Sequence, residues 1–144
     1  MGALHPADRL QVASDRSGSL ACVGLDPRPA LVPPAIAQAA LARHGDTAEA
    51  VAEAFFVFNR GLLDAVAGRC AAVKPQVACY EAYGPAGLRC LLDTIAHARA
   101  LDVPVVVDAK RGDIGSTAEH YRQAWIDGAP GLGGAPSPAR ARTG

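Results

Sequence analysis

The residues best suited to chemistry stand together in Val105-Val106-Val107-Asp108-Ala109-Lys110-Arg111-Gly112-Asp113-Ile114. A β-branched apolar run ends in an acid, then a base, then a second acid. Side chains on a strand alternate faces with period two, so Asp108 and Lys110 point the same way from the end of a buried strand. Opposite charges at the mouth of an apolar scaffold carry a desolvation cost, and so need a partner or a task. An ammonium held beside carboxylates in such a place is equipped to handle charge and protons.

The same arrangement occurs twice earlier in the chain. Leu20-Ala21-Cys22-Val23-Gly24-Leu25 is a short apolar run closed by Asp26-Pro27, and Cys70-Ala71-Ala72-Val73 delivers Lys74-Pro75. Three predicted strands, 20–25, 70–73 and 105–107, therefore each end in charge. One such charge is ordinary for a solvated strand end. Three in succession, brought to one rim, make a ligand-binding rim.

Helices must position these strands. Residues 4–17 read as a polar amphipathic lead-in helix. Prolines 27, 29, 33 and 34 keep the next stretch extended or turned, ahead of a short Ala-rich helix over 34–43. Asp46 or Thr47 caps a longer helix whose apolar face is Val51, Phe55, Phe58, Leu62 and Val66, ending near Gly68. A further helix over 85–101 offers Leu88, Leu91, Leu92 and Ile95, and another runs from Ser116 and Thr117 to Trp125. Continuously apolar strands alternating with amphipathic helices imply an α/β fold of parallel strands covered by helices. In both barrel and open versions of that architecture, ligands bind at the C-terminal strand tips.

Bulk properties narrow the function. The chain has 144 residues, enough for one modest domain, and its 50% hydrophobic content argues against disorder. Its formal net charge of zero supplies no reason to expect nucleic acid or a membrane surface as partner. No apolar run spans a bilayer and the N-terminus lacks a signal-peptide core, so a cytoplasmic protein is expected. Cys22, Cys70, Cys79 and Cys90 form no C-x-x-C pair and read as small buried apolar residues. His5, His44 and His97 lack metal-ligand spacing, and His120 reads as a surface or groove residue. Phe55, Phe56 and Phe58 read as core or dimer packing, while Gln76, Tyr80, Glu81 and Tyr83 follow the second strand as rim or local packing residues. From Gly128 to Gly144 the chain is Gly, Pro, Ala and Arg-rich, and reads as a flexible tail after a domain spanning 1–127.

Four segments carry a resemblance: Val23-Gly24-Leu25-Asp26-Pro27, Val73-Lys74-Pro75-Gln76-Val77-Ala78, Tyr80-Glu81-Ala82-Tyr83-Gly84, and Asp108 through Thr117 with its D-x-K-x-x-D-I element. In this order they resemble orotidine 5′-phosphate decarboxylase of the bacterial type 2 branch, over about residues 5 to 127. The resemblance implies a (β/α)₈ TIM barrel working as a homodimer. It implies conversion of orotidine 5′-monophosphate to uridine 5′-monophosphate and CO₂ in pyrimidine biosynthesis, with neither metal nor organic cofactor. Lys110 then matches the lysine that protonates the C6 carbanion, Asp108 the carboxylate beside the departing carboxyl group, and Lys74 the second lysine near the ribose. Asp26 matches the acid that binds a ribose hydroxyl. Asp113 and Thr117 match residues that reach into the partner subunit's site.

A complete barrel needs eight strands and about 250 residues, with its phosphate site usually after strands seven and eight. Only three strands are legible here, so the expectation is the first three or so βα units, an N-terminal fragment with little activity alone. The alternative enzyme is a keto-gulonate or hexulose phosphate lyase of the same superfamily. Those use Mg²⁺ with an acid where Lys74 stands, and a lysine repels a divalent cation. A non-catalytic truncated remnant is the second alternative.

Overall fold

A computed structural model describes residues 5–110, 114–123 and 131–132. Helix α1 (Pro6–Ser17) opens on a proline, which loses no intrahelical hydrogen bond there. The His5 ring accepts the Ala7 N–H at 3.2 Å, and Gly18, at φ 61°, closes the helix in the left-handed region. Strand β1 (Cys22–Leu25) lies parallel to β2 (Ala72–Pro75), with Gly24 opposite Lys74 and Leu25 opposite Pro75. Parallel neighbours need a long crossover. It is built from a 3₁₀ turn at Pro29–Leu31, α2 (Pro34–His44) and α3 (Ala48–Val66). Thr47, not Asp46, caps α3: its hydroxyl accepts the Ala50 N–H at 3.2 Å. Beyond β2 come α4 (Val77–Glu81), α5 (Gly84–Ala100) and α6 (Ser116–Arg122). Trp125 lies outside the described residues.

The predicted third strand is present but interrupted. Val73 N–H donates to the Pro104 carbonyl (2.9 Å), Val106 N–H to Val73 (2.9 Å), Asp108 N–H to Pro75 (3.1 Å) and Val77 N–H to Asp108 (3.0 Å). This is a parallel ladder with one rung missing. Pro75 has no N–H to offer the Val106 carbonyl, so pairing reduces to two bridges, Val73 with Val105 and Gln76 with Asp108. β2 is thus the central strand. The segment is not the fully buried strand expected from its composition: Val106 and Val107 are 42% and 47% exposed, because they lie on the sheet edge.

One face of the sheet is covered. Leu25 and Val73 point toward Leu63 of α3 and Ala98 of α5, with Cys70 and Val103 filling the same cluster. A second cluster joins α2, α3, α4 and α5 around Val51, Phe55, Tyr80 and Leu91. Phe55 and Tyr83 meet edge to face, ring centroids 5.4 Å apart. Leu132 packs against this cluster, and residues 128–130 and 133–144 of the Gly/Pro/Ala/Arg-rich tail lie outside the described residues.

Both helix faces differ from expectation. On α3 the buried stripe steps by four, Val51, Phe55, Asn59, Leu63, whereas Phe58, Leu62 and Val66 are only partly covered. On α5 it is Ala86, Gly87, Cys90, Leu91, Thr94 and Ala98, while Leu88 and Leu92 face outward. The two helices approach along rows of small side chains, so bulky leucines flank the contact instead of filling it. Cys22, expected to be buried, is exposed on the open face of the sheet; Cys70, Cys79 and Cys90 are buried. Among the described residues no helix is long and apolar enough to cross a membrane.

Candidate active site

The uncovered face of the sheet carries the charge. Gly24 and Lys74 are level on adjacent strands, as are Gln76 and Asp108. Period-two alternation then sets Lys74, Gln76, Asp108 and Lys110 on one face. Asp26 folds back over Gly24: a methyl carbon on that glycine would sit 3.7–3.9 Å from the Asp26 carboxyl group. Since Gly24 stands opposite Lys74, the three strand tips deliver their charges to the same side.

Asp108 is the centre of the cluster. Lys74 Nζ donates to its Oδ2 at 3.1 Å, and Lys110 Nζ to its Oδ1 at 2.5 Å. Gln76 Nε2 approaches Oδ2 at 3.4 Å. The Asp108 side chain is 15% exposed, against 35% for Lys74 and 53% for Lys110. The Lys110 hydrogen bond, then that of Lys74, holds the Asp108 carboxyl below the usual carboxylate range. Two ammonium groups share one carboxylate here, with Asp26 across the sheet. Such a face can receive an anion and stabilise negative charge developing on it.

Thr117 lies in the first turn of α6, half-buried. That helix begins beside the loop following β1, where Arg28 Nη2 meets Ser116 Oγ at 3.4 Å, and it packs on α4. His120 is half-buried, with Nδ1 2.5 Å from the Ser116 carbonyl. Asp113, with Arg111 and Gly112, lies outside the described residues. Among the described residues no three His, Cys, Asp or Glu side chains group as a metal site.

The sequence carries no signal for α4, and it offers Gln76 and Tyr80 only as rim or local packing residues. Residues 77–81 make just over one helical turn, too short for a periodic signal. Tyr80 is fully buried, and Gln76, 7% exposed, touches Asp108. The Gln76 contact was available from spacing: it is two residues past Lys74, the same interval that aligns Asp108 with Lys110.

Comparison with known proteins bears on the family and the fold. The profile described as "Orotidine 5′-phosphate decarboxylase / HUMPS family" matches residues 20–130. A Rhodopirellula baltica protein named orotidine 5′-phosphate decarboxylase is 42% identical over 123 residues, covering 85% of this chain and 40% of the relative. A Haloarcula marismortui protein of the same name is 42% identical over 120 residues, covering 83% and 38%. A solved Streptomyces avermitilis structure assigned to the same enzyme superposes with TM-score 0.57 at 36% identity, covering 88% of this chain and 40% of that one. The Leishmania donovani OMP decarboxylase structure gives TM-score 0.51 at 33% identity, covering 84% and 39%. The chain thus spans about 40% of the length of these relatives, and within that span it has the parallel βα architecture of their barrel. With the profile covering most of the sequence and the strand-tip charges gathered on one face, the chain belongs to the orotidine 5′-phosphate decarboxylase / HUMPS family.

Proposed function

We propose that the chain supplies the decarboxylating half-site of an orotidine 5′-monophosphate decarboxylase. The observation that carries this reading is Asp108 held between Lys74 and Lys110 on the open face, with Asp26 on the neighbouring strand. The C6–carboxylate bond of the substrate breaks, CO₂ leaves, and the electron pair stays on C6. The Lys110 ammonium faces that carbon and transfers its proton to it, giving uridine 5′-monophosphate. A fixed cation there stabilises the transition state more than the ground state. Asp108 keeps Lys110 charged and oriented, and lies beside the departing carboxyl group. Lys74 completes the charge network near the ribose, Asp26 accepts a ribose hydroxyl, and Asp113 and Thr117 act across a homodimer interface. The reaction requires no metal or organic cofactor, and the setting is the cytoplasm.

The described residues supply three parallel strands. Phosphate sites of such barrels are usually built after strands seven and eight. By itself the 144-residue chain therefore has little or no turnover. The test is a chimera joining residues 1–127 to the remaining barrel of the Rhodopirellula baltica relative. It is expected to decarboxylate orotidine 5′-monophosphate without added metal, and Lys110→Ala should lower kcat by roughly 10²–10³-fold or more. A folded chimera that is inactive, or that needs Mg²⁺ and acts on a keto-sugar phosphate instead, overturns the reading.

A further inference from the structure

Behind the charged face runs a buried polar chain that the proposed reaction does not use. Tyr80, fully buried on α4, donates its phenol hydrogen to the Leu25 carbonyl at 3.1 Å. Its oxygen accepts from Asn59 Nδ2 of α3 at 2.9 Å, and the same Nδ2 reaches Thr94 Oγ1 of α5 at 3.3 Å. Asn59 and Thr94 are each 1% exposed. Leu25 is the last residue of β1, directly before Asp26, and its carbonyl also accepts the Gln76 N–H at 3.3 Å. Gln76 in turn contacts Asp108 through its side chain. One carbonyl thus joins the tip of β1, the tip of β2 and a phenol anchored on two helices.

This chain is costly for a core. Asn59 Oδ1 is buried with no hydrogen-bond partner among the described residues. Phe at 80 and Leu at 59 would fill similar space with no orphaned acceptor. Tyr80 is also held from behind: a Cβ on Gly87 would lie 1.9 Å from the Tyr80 carbonyl oxygen, so α5 seats its bare backbone against α4.

We propose that Tyr80 and Asn59 are positioning residues, setting how the β1 and β2 tips lie against each other and hence the spacing of Asp26, Lys74 and Asp108. The proposal rests on reading that face as the nucleotide site. Amide hydrogen exchange, followed by NMR on the 144-residue chain, tests the network without any ligand. Tyr80→Phe should speed Gln76 amide exchange by roughly two- to tenfold relative to the Val106 amide, whose partner is the Val73 carbonyl on the far side of β2. Tyr83→Phe, which removes a phenol hydroxyl from the same cluster, should leave that ratio unchanged. A purely structural role would move both amides together. A Gln76 amide unprotected in the wild type, or an unchanged ratio in Tyr80→Phe, overturns the proposal. In a second arm, run on the chimera that completes the barrel, uridine 5′-monophosphate should shift resonances of Asp26, Lys74 and Asp108, and bind more weakly to Tyr80→Phe than to Tyr83→Phe. No binding by any variant counts against the nucleotide site alone, and the exchange ratio still decides the network.

Discussion

Two glycines within helices separate backbone propensity from tertiary contact. Gly61 in α3 has nothing within 4 Å of where a Cβ would stand, and Gly87 in α5 would place that carbon 1.9 Å from the Tyr80 carbonyl oxygen and 2.9 Å from its carbonyl carbon. Propensity alone says that Ala in either place adds about 1 kcal/mol of stability. At Gly61 that gain should stand. At Gly87 the new methyl must push the α4 backbone back by about 1 Å to reach even a 3.0 Å contact. The obstacle is backbone, not the end of a flexible side chain, so the overpacking cost falls at the upper end of the usual ~1–3 kcal/mol. After the propensity gain, Gly87→Ala should be destabilised by about 2 kcal/mol, or roughly 8 °C in Tm for a chain of this size. Thermal and urea unfolding followed by circular dichroism measures both variants. Gly87→Ala as stable as the wild type, with Gly61→Ala raised as expected, would refute the close approach of α5 to α4 and the geometry derived from it.

Of the four cysteines only Cys22 is exposed, and burial pushes Cys79 up to about 11 and Cys90 up to about 12, so a thiol reagent at pH 8 should modify one equivalent quickly in the native chain; two or more fast equivalents would contradict the burial pattern. The segment at Val105–Val107 forms a sheet edge with Val107 47% exposed, and Val107→Lys should reduce self-association in sedimentation velocity at unchanged helix content. Asp108, Asp102 and Glu119 are all held low, Glu119 at about 2 by Arg122. Carboxylates lowered on folding contribute stability that is fully present above the unfolded value of about 4 and is lost as pH falls through the folded value. Stability should therefore decline below about pH 4, less steeply in Asp108→Asn, and an identical slope in that variant would show that Asp108 is not held by the lysines.

Much of the site was legible because it rests on local rules. Asp108 and Lys110 share a face through strand alternation, and the three apolar runs had to pair in parallel because each is separated from the next by helices. The errors have a common origin. Size and apolarity turn Leu88 and Leu92 inward on paper, yet α5 meets its neighbours through Ala86, Gly87, Cys90 and Ala98, with Gly87 set against α4. How closely two helices approach is not encoded in either one alone. Val105–Val107 reads as a buried strand from composition, but its exposure depends on having a neighbour on each side. Pro75, which interrupts the ladder, can be recognised as an interruption only once the residue opposite it is known.

The order of the strands and longer helices, the identity of the charged strand tips and the family follow from the linear sequence, because backbone periodicity and motif spacing are properties of short stretches. The tertiary structure alone decided that Lys74, from another strand, shares Asp108 with Lys110, and that Tyr80 braces the carbonyl before Asp26. Those contacts join residues 34 and 55 positions apart, and their distances are set by how strands register and helices pack.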